Sequence, residues 1–245
     1  MVKYSKLRSL HSLINIKFQN TDFLIAVKPA DMNFHSENGE AGFMAQLKQH
    51  ILDQFQDKEI ETLLYPVHRL DKMTSGLIIV ALSLEAAQAF QVMFSERQVN
   101  KFYLAVSEHK PKKKQGWVKG DMAPARNGNW KLCKTQNNPA ITQFISASLQ
   151  PKERLYLLKP LSGKTHQLRV MMKSIGASIC GDRRYAPKTL TKQEERGYLH
   201  AFALQFTWKG EIFQFTQAPD SGSRFLSLSC QDQLVNWSCP WQFFT

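Results

Sequence analysis

His68-Arg69-Leu70-Asp71-Lys72-Met73-Thr74-Ser75-Gly76 runs directly into Leu77-Ile78-Ile79-Val80-Ala81-Leu82. The apolar run reads as a buried strand, and the polar stretch before it as the loop at that strand's mouth. Such a loop holds its side chains on a rigid element while leaving them within reach of solvent and substrate. A carboxylate, two cations, a histidine, two hydroxyls and a glycine meet there. The competing reading is a surface turn whose Asp and Ser bond to their own backbone. These nine residues alone leave both open.

Outward from this stretch, strands outnumber helices. Phe23-Leu24-Ile25-Ala26-Val27 is a buried strand that Lys28-Pro29 must end, because proline cannot donate to a sheet ladder. Apolar residues between Gly42 and Phe55 fall at helical spacing. Ser83 is a natural N-cap for a second helix carrying Ala86, Phe90 and Met93. Strand signals return at Phe102 to Val106, at Ile141 to Ile145 and at Arg154 to Leu158, with weaker ones elsewhere between 117 and 150. A third helix spans Gln167 to Ile175, capped at its start by Thr165 or a neighbour and closed by Gly176. Residues 200–206 and 211–215 alternate cleanly around Lys209-Gly210, as in a hairpin. Residues 1–20 read as a polar, basic N-terminal extension. This pattern predicts an α+β fold on a mixed, mostly antiparallel sheet, with no linker separating independent domains.

The chain has 245 residues, enough to bury a substantial core. Its 32 Lys and Arg against 20 Asp and Glu give a net charge of +12, which favours a polyanionic partner, RNA or DNA before membrane. The basic stretch Lys112-Lys113-Lys114 reads as an exposed loop, and phosphate contact is an alternative to plain solvation. No apolar run approaches the roughly 18 residues of a membrane span, and no secretory h-region is visible. A cytoplasmic protein is expected. The four cysteines show no CxxC pair and read as reduced thiols.

The seven histidines are scattered without an HExxH, and neither a GxxxxGKS/T loop nor a GxGxxG turn is present. Metal and nucleotide chemistry therefore have no visible cradle. Ser75 lies in Thr-Ser-Gly and not in a GxSxG elbow, which leaves a hydroxyl nucleophile weakly supported. What remains is Asp71 and a distant basic turn-helix, Gly163-Lys164-Thr165-His166-Gln167-Leu168-Arg169. A lone aspartate can serve as nucleophile or proton shuttle if a cation keeps it ionised and fixed. Arg169 is the candidate partner, since a guanidinium stays charged and can hold a carboxylate through two bonds. The commoner fate of such a residue is the surface of a helix.

His68 to Leu77 resembles the HRLDxxTSGL motif of the RluA family of RNA pseudouridine synthases, with Asp71 at the position of its aspartate. Lys28-Pro29-Ala30 resembles the family's KPAG, Lys101 to Ala105 its KxYxA, and Gly163 to Val170 its GRTHQIRV. Gly181-Asp182 with Tyr185 is similar to its GDxxY, and Leu199-His200-Ala201 to its LHA. The motifs follow one another in family order between residues 22 and 218. There are departures: Asp31 occupies the position of the KPAG glycine, Lys164 that of an arginine, and a methionine follows Arg169-Val170 where a histidine is frequent.

The resemblance implies a two-part sheet flanked by helices, with a central cleft, in a catalytic domain over 21–220. A C-terminal extension, 221–245, would pack on it, without an S4-type RNA-binding domain. It implies uridine-to-pseudouridine isomerisation in rRNA or tRNA with no cofactor and no metal, and RNA as the partner of a monomer that needs no obligate protein partner. Asp71 would be nucleophile or base, Tyr103 would stack on the target base and help remove the C5 proton, and Arg169 would pair with Asp71. Arg69 would fill the space left by the flipped-out uridine. Lys101, Lys164, His166, Arg183 and Arg184 would contact RNA, with Lys188 a further phosphate contact. The rival readings are a catalytically silent RNA-binding protein on the same fold, and a carboxylate glycosidase, which the lack of an evident second carboxylate disfavours.

Overall fold

A computed structural model of the chain describes residues 14–54, 63–108, 111, 113–191 and 193–244. His109, Lys110 and Lys112 of the basic loop, Phe55 and residues 1–13 lie outside the described residues. Twelve strands are seen in this order: β1 Asn15–Gln19, β2 Phe23–Lys28, β3 Tyr65–Pro66, β4 Ser75–Ala81, β5 Asn100–Ser107 and β6 Gln115–Gly120, then β7 Met122–Pro124, β8 Trp130–Leu132, β9 Ala140–Gln150, β10 Glu153–Pro160, β11 Leu199–Trp208 and β12 Glu211–Thr216. The helices are α1 Phe43–Gln54, α2 Leu84–Ser95, α3 Gln167–Ser174, α4 Lys188–Thr191, α5 Ser223–Leu226 and α6 Leu228–Asn236. Ten strands form one sheet in the order β1-β2-β4-β11-β5-β10-β9-β6, with β12 added to β11 and β3 to β4; β7 and β8 pair by themselves. Among the described residues the only parallel pairing is β4 with β11, so the expected mixed, mostly antiparallel sheet is what forms.

The unbroken apolar runs of β2 and β4 follow from burial on both faces. Leu24, Ala26, Ile78 and Val80 join the core under α1, α3 and the C-terminal helices, while Phe23, Ile25, Leu77 and Ile79 join a second core under α2. Alternate residues of a strand point to opposite faces, so covering both removes the polar alternation seen in half-exposed strands. Ser83 caps α2 as expected, its side chain accepting from the Ala86 amide. Strand β1 falls inside the stretch read as an extension. Its half-exposed alternation carries a weak signal, yet it pairs with β2 along the sheet edge.

The C-terminal stretch contributes Phe225, Cys230, Leu234, Trp237 and Phe244 to the main core. Arg224 of α5 ties it down by pairing with Glu108, Glu153 and Glu194. Where β4 and β11 run parallel, Gly76 has φ 111°, and a Cβ there would lie 2.2 Å from the Ala201 carbonyl oxygen. Only glycine lets the two strands meet so closely. Among the described residues no helix is long and apolar enough to cross a membrane.

Candidate active site

Leu70 and Met73 are buried in the main core, and this anchors the loop that precedes β4. Between them Asp71 faces outward with its side chain 22% exposed, reachable by a ligand yet held. The Thr74 amide donates to the Asp71 carbonyl and closes a turn, and Ser75 Oγ lies 2.7 Å from His200 Nδ1 and accepts from Arg196. The Ser75 hydroxyl thus braces the loop. His68 Nε2 accepts the Ile79 amide, and burial pushes its pKa down to about 3, so the ring is a neutral brace. Lys28 is fully buried and donates to the carbonyls of Pro29, Met32 and Lys72, fastening the KPAG-like loop to the residue after Asp71.

Arg169 comes from the first turn of α3. No side chain caps that helix: His166 stands at the N-cap with φ 56°. Thr165 does not cap it; Gln167 instead fastens the preceding turn, its Oε1 accepting from the Lys164 amide and Ser162 Oγ while its amide donates to Ile141 and Thr142. Arg169 donates to Asp182 through Nε and Nη2, both at 2.8 Å, and to Asp71 through Nη1 at 3.1 Å. Asp182 is fully buried, and its Oδ1 also accepts the amides of Arg184 and Tyr185. Burial alone would lower the pKa of Arg169; the bonds and charges of Asp182 and Asp71 outweigh it and raise it further. The guanidinium also stacks 5.0 Å from the Tyr185 ring centroid.

Asp71 stands on a wall between two cavities. The smaller, about 380 Å³, is lined by Tyr103, Lys101, Phe94, Lys164 and Leu168; the larger, about 950 Å³, by Arg183, Arg184, Arg196, His35 and Lys72. Arg69 and His166 border both. Tyr103 is nearly buried, and burial, then the charge of Asp71, pushes its hydroxyl well above the usual phenol value. A narrow, partly apolar pocket beside a carboxylate held by a guanidinium, opening onto a wide cationic cleft, suits one nucleotide taken out of a longer polyanion.

Residues 22–174 match the sequence profile of the RNA pseudouridylate synthases. The chain belongs to that family. An uncharacterized RNA pseudouridine synthase of Haemophilus influenzae is 43% identical over 90% of this chain and 94% of its own length. The dual-specificity RNA pseudouridine synthase RluA of Escherichia coli K12 is 36% identical over 58% of this chain and 66% of its own length. Human RNA pseudouridylate synthase domain containing 1 superposes with a TM-score of 0.68 at 26% identity, covering 91% of this chain and 93% of that one.

In this pseudouridine synthase the three residues expected to form the catalytic group converge, although Asp71 and Arg169 are 98 residues apart in sequence. Lys164 lines the smaller cavity and donates to Asn138, while His166 Nδ1 meets the Tyr185 hydroxyl at 2.8 Å. Arg183 is exposed on the wide cleft, whereas Arg184 donates to the carbonyls of Asn127 and Gly128 at the tip between β7 and β8. Arg69 is exposed and, among the described residues, makes no hydrogen bond. Lys113, Lys114 and Lys188 border neither cavity. Sequence reasoning missed the structural weight of Lys28 and Asp182; the fully apolar run ending at Lys28 was the available signal for the first. Asp31, in place of the family glycine, adopts φ 58°, the left-handed conformation that glycine favours and aspartate tolerates.

Proposed function

We propose that this pseudouridine synthase isomerises uridines in the loop of an rRNA or tRNA stem-loop, with the Asp71 carboxylate acting on the ribose of the flipped-out nucleotide. The observation that carries the reading is the position of Asp71, held by Arg169 at 3.1 Å on the rim of the pocket that contains Tyr103. Isomerisation breaks the N1–C1′ bond, turns the uracil, joins C5 to C1′, and moves one proton from C5 to N1. As nucleophile at C1′ or as base toward the ribose, Asp71 must be aimed at the sugar, and the adjacent guanidinium holds it in place.

On this reading Tyr103 is the ring on which the base stacks, and Arg69, exposed at the border of both cavities, enters the gap in the stack. Relatives support RNA classes of this kind: one is named for dual specificity and another, from Rickettsia bellii, as ribosomal large subunit pseudouridine synthase C. The test is pseudouridine mapping of total RNA from cells with and without the protein, complemented by the wild type or by Asp71→Asn. Sites lost in the knockout should return with the wild type alone. Their return with Asp71→Asn would remove Asp71 from the chemistry, and an unchanged map in the knockout would favour a silent RNA-binding protein.

A further inference from the structure

Lys101 and Tyr103 lie two residues apart on β5, on one face of the sheet, and both line the smaller cavity. The Lys101 ammonium sits 5.0 Å over the Phe94 ring and, among the described residues, has no hydrogen bond and no carboxylate partner. Lys28, by contrast, has three carbonyls, and Lys164 in the same cavity has Asn138. An ammonium withdrawn from water without an acceptor is costly unless a ligand supplies one. That ligand has to enter the pocket where Tyr103 and Asp71 stand.

Two groups of side chains line the cavity: the Asp71–Arg169 pair, and Phe94 with the His68 ring packed 5.0 Å from it and the Lys101 ammonium 5.0 Å over it. A strand advances about 6.6 Å over two residues. A nucleotide with its ribose at Asp71, its base over Tyr103 and its far edge turned to the Lys101 side of the pocket would bring the edge opposite the glycosidic bond to the ammonium. In uracil that edge carries the O4 acceptor; in cytosine it carries an amino donor.

We infer that the Lys101 ammonium donates to O4 of the target uracil, selecting it against cytosine and stabilising the negative charge the base acquires when N1–C1′ breaks. The inference rests on the functional reading above. The electron pair of the broken bond stays on the base and spreads over N1, O2 and O4. A fixed ammonium at O4 opposes that charge where it develops. Once C5 has bonded to C1′, the C5 proton departs and N1 is protonated, while Lys101 keeps its own proton throughout. Burial lowers the Lys101 pKa to about 8, which leaves it mostly charged at neutral pH, and the groups sharing its cavity are neutral His68, Tyr103, Arg69, Lys164, His166 and the Asp71–Arg169 pair. An ammonium has no lone pair to accept from the cytosine amine, so the same contact that serves uracil is lost and repelled with cytosine.

The experiment is single-turnover isomerisation by the full chain on total RNA from cells lacking it, comparing wild type, Lys101→Met and Lys101→Arg. Lys101→Met should slow the reaction about 100- to 1000-fold, with the RNA Kd within about threefold of wild type, and Lys101→Arg should recover at least about tenfold of the loss. At a mapped site changed from uridine to cytidine, wild type should bind at least about tenfold more weakly than to the original RNA, and Lys101→Met should discriminate less. A Lys101→Met rate within about threefold of wild type overturns the inference, as does a loss confined to Kd with the salt slope falling by about one, the mark of a phosphate contact. If wild type itself forms no pseudouridine, the functional reading fails and takes this one with it; if wild type and Lys101→Met react alike, the Lys101 assignment falls alone.

Discussion

Asp182 grips Arg169 through two 2.8 Å bonds from inside the protein, leaving one Nη1 bond of 3.1 Å for Asp71 at the cavity wall. Asp182→Asn removes the charge that balances a buried guanidinium. Breaking such a pair typically costs about 3–5 kcal/mol. A urea or thermal melt should show a loss of that order, and isomerisation should fall by at least about tenfold even with Asp71 untouched. A variant as stable and active as wild type would mean that Asp71 alone satisfies Arg169.

Tyr103 should work with its hydroxyl protonated, because burial and then the Asp71 charge raise its pKa. Tyr103→Phe keeps the ring and removes the proton-bearing oxygen. We expect unchanged RNA affinity and a single-turnover rate lower by about 100- to 10,000-fold, the usual range for a lost proton-transfer group. The wild-type rate should show no descending limb from this group below about pH 10.

Acid stability is set partly by His68 and His200, which burial holds near pKa values of about 3 and about 4. Both stay neutral when folded, whereas in the unfolded chain they take up a proton near pH 6.5. The unfolded state therefore binds more protons between about pH 6.5 and pH 4, so their contribution is complete above that window and declines as pH falls through it, by several kcal/mol in all. Denaturant midpoints measured from pH 7 to pH 4 should fall, and His200→Gln should flatten the slope by up to one proton.

Arg183 and Arg184 are neighbours with different duties. Arg183 is exposed on the wide cleft with no partner among the described residues, so Arg183→Gln should weaken RNA binding and lower the salt slope by about one without changing the melting temperature. Arg184 holds the tip between β7 and β8 through two carbonyls. Arg184→Gln should also loosen that hairpin, visible as faster amide exchange at Trp130, whose N–H donates to Tyr185.

Much of this was legible in the chain. Apolar runs gave β2 and β4, alternation gave the hairpin of β11 and β12, and Ser83 announced α2. Strand β1 and the short β7 and β8 were weak because half-exposed strands bury too little to leave a pattern. Asp71, Tyr103 and Arg169 were legible as members of motifs, but not the order of grip among the carboxylates. Asp182 sits in Gly-Asp-Arg-Arg, which reads as a solvated turn; its complete burial arises only when α3 docks against it.

The parallel pairing of β4 with β11 joins residues 125 positions apart, Ser75 to His200, in the middle of the sheet. Contacts that distant close large loops before they yield any stabilisation, which makes them late events in folding. Asp71 enters from the start of β4 and Tyr103 from β5 on the far side of β11, so neither can face the other until that closure is complete. Recovered activity during refolding should therefore trail the recovery of helical signal, and the reaction itself becomes a clock for the last step of assembly.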